Sequence, residues 1–268
     1  MKNIILLFSI LVFASCDVVD LDDVYEEMAI DVSDSTASVV DLPSSTTRKV
    51  LLEYYTGHLC GNCPQSGGGT IEDLKALYDT NLLVISIHAG FFARNNPNGL
   101  SFFTDFRTDV GNELDDRYGV TISGTPKGLV NRSEFQNATI HTPTNWGAAI
   151  SSVISTSTTL VMQSDSKVNG EVLTYNLSYR KQEGSSLKFY VIEDNIIDWQ
   201  RDYSTSPEDI RDYTHHYVLR DEIVISKVSD NEGSLSFDYM LGASWDKNNT
   251  SIIALIVDDK TGDVLQVE

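Results

Sequence analysis

Cys60 and Cys63, in the run Cys60-Gly61-Asn62-Cys63-Pro64, are the residues of this chain best suited to covalent chemistry. A Cys-x-x-Cys pair brings two sulfurs within one turn of chain, so they can close a disulfide or exchange it with another thiol. Whether that spacing has redox meaning depends on its flanks. Val50 to Tyr55 is a short apolar run entering a Gly/Cys turn, as a buried strand does, and helical spacing resumes after the pair. Both sulfurs then stand at a helix start, where free N–H groups and the positive end of the helix dipole favour thiolate. On this reading Cys60 is the exposed nucleophile and Cys63, one turn on, resolves the mixed disulfide. A static disulfide is the competing use. So is a metal site made with His88, for which no fourth ligand can be named.

The third cysteine has different neighbours. Lys2 precedes an apolar run, Ile4 to Ala14, broken only by Ser9. It is too short for a spanning helix of about 20 residues and reads as a signal peptide. The run closes on Phe13-Ala14-Ser15-Cys16, which resembles a bacterial lipobox and makes Cys16 the lipidated first residue of a membrane-tethered chain. From Asp17 to Thr47 there are nine acidic residues and no Lys or Arg, the composition of a linker extended by self-repulsion. Acids placed there resemble two opposed sorting signals, inner-membrane retention and surface export.

The elements that must position Cys60 and Cys63 follow a change of period along the chain. Thr70-Ile71-Glu72-Asp73 has the form of a capping box, so the first helix restarts at Thr70 after an interruption at Gly67-Gly68-Gly69. Leu82 to Ile87 reads as a second buried strand. Phe102, Phe106, Val110, Leu114 and Tyr118 recur every four residues and predict a helix after Ser101. Gly128 to Asn131 is a third strand, and Thr142-Pro143 starts a last helix carrying Trp146 and Ile150. Beyond Thr158 the period becomes two, as in Leu173, Tyr175, Leu177 and Tyr179, and predicts an antiparallel sandwich of about seven strands. The expected division is signal peptide 1–15, lipidated cysteine and acidic linker 16–47, α/β domain 48–158 and all-β domain 159–268.

With 41% hydrophobic residues the chain can bury a sizeable core, which excludes disorder throughout. Thirty-nine acidic against nineteen basic residues, a formal charge of −20, exclude nucleic acid as a partner.

Strand, Cys-x-x-Cys, helix, strand, and then Tyr118-Gly119-Val120-Thr121-Ile122-Ser123-Gly124-Thr125-Pro126 together resemble the thioredoxin superfamily. The resemblance implies a thioredoxin-like α/β domain, and the alternating strands behind it read as an immunoglobulin-like sandwich. It also implies that Pro126 is cis and faces the cysteines, with Thr125 placed to pair with a substrate strand. Glu53 falls near the place of a buried carboxylate that moves protons beneath the resolving cysteine, one residue further from Cys60 than is usual. The run Leu51-Leu52-Glu53, the Cys-x-Asn-Cys-Pro element and Tyr213-Thr214-His215-His216-Tyr217-Val218-Leu219-Arg220 resemble a narrower family, lipoproteins related to the twenty-eight-kilodalton outer membrane protein of Bacteroidota.

That resemblance implies an outer-membrane, lipid-anchored protein on the periplasmic or cell-surface face, with a surface binding, adhesion or receptor role and a protein or peptide partner. Thiol-disulfide oxidoreduction by Cys60 and Cys63 is the alternative. No cofactor and no metal are expected. His58, two residues before Cys60, could stabilise a thiolate if charged and otherwise reads as an exposed loop histidine. His215 and His216 point to opposite faces of a strand, and Asp258 to Asp263 reads as a hairpin turn rather than a calcium loop. Replacing Cys16 with serine is expected to abolish lipidation and free the protein from membranes, because the apolar run cannot hold it; retention of the washed variant would refute the anchor.

Overall fold

The computed structural model describes residue 30, residues 33–34, 41–154, 156–226 and 228–268. The signal peptide, Cys16 and most of the acidic linker lie outside the described residues. In chain order the first elements are β1 (Ser33–Asp34), β2 (Thr46–Thr47), β3 (Val50–Thr56), α1 (Gly69–Tyr78), β4 (Leu82–His88) and α2 (Asp109–Tyr118). Next come β5 (Lys127–Val130), β6 (Ile140–His141), α3 (Pro143–Val153), β7 (Ser157–Thr158), β8 (Val161–Asn169), β9 (Val172–Arg180) and β10 (Ser185–Glu193). The last are β11 (Ile196–Arg201), β12 (Asp209–His215), β13 (Val218–Ile223), β14 (Glu232–Met240), β15 (Thr250–Asp258) and β16 (Val264–Val267).

The fold is mixed α/β with a large β region toward the C-terminus. Its centre is an eight-stranded sheet of order β16-β15-β10-β13-β4-β3-β5-β6. β3 is buried along its whole length, which is why Val50 to Thr56 reads as a run rather than an alternation. It pairs in parallel with β4 from Val50↔Leu82 to Thr56↔His88, and antiparallel with β5. The other edge of β4 pairs in parallel with β13 at Val218↔Ser86. A second sheet, β1-β14-β9-β8, carries the period-two residues Leu173, Tyr175, Leu177 and Tyr179 inward.

Three buried clusters follow from the two faces of the large sheet. Leu51, Tyr55, Ile85, Ile87, Tyr190 and Leu255 pack on one face with Val110 and Leu114 of α2. On the opposite face, Leu52, Tyr54 and Val84 pack with Ile71, Leu74, Trp146 and both cysteines. Phe189, Val191 and Ala254, farther along, meet the second sheet.

The structure departs from the sequence reading in four places. The expected sandwich of residues 159–268 has one layer of its own, β8, β9 and β14; β10, β13, β15 and β16 extend the α/β sheet instead. Helix α2 begins at Asp109, where the Thr108 hydroxyl accepts from the Gly111 amide. Phe102 and Phe106 are buried from an irregular segment, so the four-residue interval there marks packing, not helix. Parts of the acidic linker are held: β1 pairs with β14, and the Ile30 amide donates to the Val224 carbonyl at 2.8 Å.

The first helix is not interrupted either. A π-helical stretch, Cys63–Gly68, runs straight into α1, and the Thr70 hydroxyl donates back to the Ser66 carbonyl instead of capping. A Cβ on Gly67 would stand 2.5 Å from the Tyr54 ring and hydroxyl, whereas one on Gly69 meets nothing within 4 Å. Gly67→Ala should therefore cost about 1–3 kcal/mol by overpacking, and Gly69→Ala should stabilise by up to about 1 kcal/mol through helix propensity. Urea unfolding checks both signs, and equal effects would show that the Tyr54 contact does not constrain the turn.

Candidate functional site

The Cys-x-x-Cys loop starts where β3 ends. The Cys60 amide donates to the Gly57 carbonyl and the Cys63 amide to the Cys60 carbonyl, a tight turn that aims both side chains into the core under α1. The sulfurs are joined in a disulfide, with Cα atoms 5.3 Å apart. Pro64 sits in the first helical turn, where its missing N–H has no partner to lose.

Cys60 was expected to be exposed and is not: it is 3% and Cys63 1% accessible. The cover is the β11–β12 hairpin. Its Arg201 amide donates to the His58 carbonyl at 2.8 Å, its Tyr203 amide to the Gly61 carbonyl at 2.9 Å, and Gln200 Nε2 to the Cys60 carbonyl at 3.2 Å. A Cβ on Gly61 would lie 2.5 Å from the Tyr203 ring. These bonds satisfy the turn's carbonyls at the cost of access to the sulfurs. Nothing local in the sequence marks Gln200, Arg201 or Tyr203 for this task, because they act from about 140 residues away.

The peptide between Thr125 and Pro126 is cis, and the Thr125 hydroxyl donates toward Cys60 Sγ at 3.5 Å. Glu53 is elsewhere. Side chains alternate along β3, so the one-residue offset seen in the sequence turns Glu53 to the face away from the cysteines. There it is fully buried and takes a bidentate bond from Arg132, with Nη2 to Oε1 at 2.6 Å and Nε to Oε2 at 3.0 Å. Arg132 also donates to the Tyr190 hydroxyl. The residue beneath Cys63 is Tyr54, whose hydroxyl donates to the Cys63 carbonyl at 3.0 Å and accepts from Thr56. Glu53 is therefore engaged in a buried ion pair with Arg132, on the face away from the cysteines.

Three histidines are buried beside this loop. His58, expected to be exposed, is 1% accessible and packs edge-on against Phe102 and Phe106; Nε2 donates to the Arg94 carbonyl at 2.9 Å. His88 and His215 share Phe106, with ring centroids 5.0 and 4.9 Å from it. Burial holds all three below the ordinary imidazole range, His88 well below it and His215 at about 4. For His215 the bond to the Trp199 carbonyl works against burial, and the charges of His58 and His216 add to it.

His216 points outward to Asp194 at 2.6 Å, as alternation requires. The Asp258 carboxylate accepts from the Lys260 and Thr261 amides inside the β15–β16 turn. No group of three or more His, Cys, Asp and Glu among the described residues could hold a metal ion, and none of the described helices is long and apolar enough to cross a membrane.

A depressed histidine makes the fold acid-sensitive. Between about pH 6.5 and 4 the unfolded chain takes up a proton that folded His215 refuses, so stability falls as pH drops through that window. The loss from His215 is about 3 kcal/mol at the bottom of it. His215→Gln, whose amide can still donate to the Trp199 carbonyl, should flatten the curve of urea midpoint against pH by that amount. An unchanged slope would mean that His215 is already charged in the folded protein.

The solved structure of a protein from Agrobacterium tumefaciens is similar in fold, at 11% identity and a TM-score of 0.50, over 83% of this chain and 94% of that one. No curated protein matches the chain. The profile of the family described as outer membrane protein Omp28 matches residues 111–268, more than half of the chain and including the Tyr213 to Arg220 motif. The chain therefore belongs to the family of outer membrane protein Omp28.

Proposed function

We propose that this protein is a lipoprotein anchored at the outer membrane through Cys16, whose body binds a protein or peptide partner at the cell surface and holds Cys60–Cys63 as a static disulfide. The observation that carries this reading is the burial of Cys60 beneath three hydrogen bonds from the β11–β12 hairpin. A nucleophilic cysteine must meet its target disulfide in line, and Cys60, 3% accessible, leaves little room for that approach. Exposed apolar side chains beside the site support a binding role: Phe91 is 63%, Leu100 96%, Phe103 52% and Ile122 91% accessible. In fold terms the parallel β3–β4 pair, the antiparallel β5 and the Thr125-Pro126 turn opposite the cysteines support a thioredoxin-like first half. The two facing β layers behind it support the sandwich-like second half.

The oxidoreductase reading, with Cys60 as nucleophile, Cys63 as resolving thiol and Thr125 and Pro126 opposite them, keeps one observation in its favour, the Thr125 hydroxyl at 3.5 Å from Cys60 Sγ. The reduction potential of the pair separates the two. A static disulfide is expected below about −300 mV, with Cys60 of the reduced protein alkylating no faster than a free thiol of pKa near 8.5. A potential above about −270 mV, together with mixed disulfides trapped by a Cys63→Ser variant, would overturn the binding-protein reading.

A further inference from the structure

A pocket of ≈ 340 Å³ opens on the Cys63 side of the disulfide, away from Thr125. Its floor is the sheet face of β3 and β4, where Tyr54, Thr56, Ser86 and His88 replace the apolar residues that the rest of that face carries. One wall is the start of the first helix, with Pro64 and Ile71; the other is the segment Tyr213 to Tyr217. The two motifs that stand out in the sequence, 150 residues apart, thus close on one space.

The hydrogen-bonding groups inside are unevenly satisfied. Tyr54 and Thr56 satisfy each other and the Cys63 carbonyl. Ser86 is 5% accessible; its amide donates to the Tyr217 carbonyl, and its hydroxyl bonds no described residue. His88 is 3% accessible, and neither ring nitrogen has a partner among the described residues. A buried polar ring without a partner is unfavourable, and the Ser86 hydroxyl beside it faces the pocket unbonded, so the floor favours a guest that brings a hydrogen-bonding group.

The charges of the pocket are all at its rim and are already engaged or in water. Lys75 Nζ donates to the Asp79 and Leu82 carbonyls at 2.8 Å each, His216 pairs with Asp194, and Glu72 is exposed. An ion entering would be stripped of water with no counter-charge inside, which disfavours it against a neutral guest. The walls, by contrast, are ring-faced and apolar: Tyr213, Tyr217, Pro64 and Ile71. The volume lies at the small end of ligand pockets, which run from about 300 to 1,000 Å³.

We infer that this pocket, walled by the Cys63 helix and the Tyr213 to Tyr217 segment over the Ser86–His88 floor, is a binding site for a small uncharged ring compound bearing a hydroxyl or amide group. The ring lies between the tyrosine wall and Ile71, and its polar group bonds the Ser86 hydroxyl, with a His88 ring nitrogen reached by a small shift of that side chain. The site goes beyond the proposed surface role and is independent of whether the disulfide cycles.

The test uses 4-fluorophenol as the probe and reads its ¹⁹F signal against the full-length protein in detergent. Saturable broadening that excess unlabelled phenol reverses is expected. Ser86→Ala should weaken binding about three- to tenfold, the loss expected for one neutral hydrogen bond, and His88→Phe should weaken it further. Should His88→Phe misfold, the serine variant decides alone, since it removes one exposed-to-pocket oxygen and no packing. No saturation, equal binding of 4-fluorobenzoate or 4-fluorobenzylamine, or unchanged affinity in folded Ser86→Ala would each overturn the assignment. A failure here leaves the measured potential of Cys60–Cys63, and the reading drawn from it, untouched.

Discussion

Where β4 meets β13, the Ser86 amide donates to the Tyr217 carbonyl at 2.7 Å and Val218 takes the place beside Ser86 in a parallel pair. The site as a whole depends on that junction. It joins the strands of the first half to those of the tail in one sheet, so the hydrophobic cluster under α2 is built from both. Because β12 ends immediately before the junction, the β11–β12 hairpin is delivered onto the Cys60 loop, and Tyr213 to Tyr217 onto the flank of the helix that carries Cys63. Without this pairing neither the cover over Cys60 nor the pocket beside Cys63 would exist.

Within β3, alternation decides what each residue can do. Six residues before Cys60 comes Tyr54, on the cysteine face; seven before comes Glu53, on the other. A carboxylate buried there needs a full partner, and Arg132 supplies two parallel bonds while sharing the Tyr190 hydroxyl. Removing one member of such a pair typically costs about 3–5 kcal/mol, because the other is left as an uncompensated buried charge. The ion pair thus pins β3 to the segment after β5 and to β10 across the core, in which role it needs no proton chemistry.

Polar side chains line the cysteine face at the C-terminal ends of β3 and β4, where loops and ligands meet open sheets in α/β folds. Thr56, His58, His88 and His215 are each more than nine-tenths buried there, an arrangement that lowers stability at low pH. The disulfide lies between the hairpin on one side and the pocket on the other, with Cys60 3% and Cys63 1% accessible.

Much of this was legible in the residues. The buried strands Val50–Thr56 and Leu82–His88, the helix begun at Pro143, the Cys-x-x-Cys turn and the period-two strands of the tail are all local patterns, set by hydrophobic spacing, proline and turn chemistry within a few residues. The family, too, is written in short motifs that need no fold to be seen. What local pattern does not carry is which strands become neighbours. The tail strands alternate as a sandwich should, yet four of them join the α/β sheet, since edge pairing is decided by the complementarity of whole surfaces brought together over more than a hundred residues. The same long-range choice buried Cys60 and His58 and carried Phe106 into the core from a loop. It also set Ser86 and His88 opposite Tyr213, because exposure and pocket shape belong to the assembled surfaces and not to any segment alone.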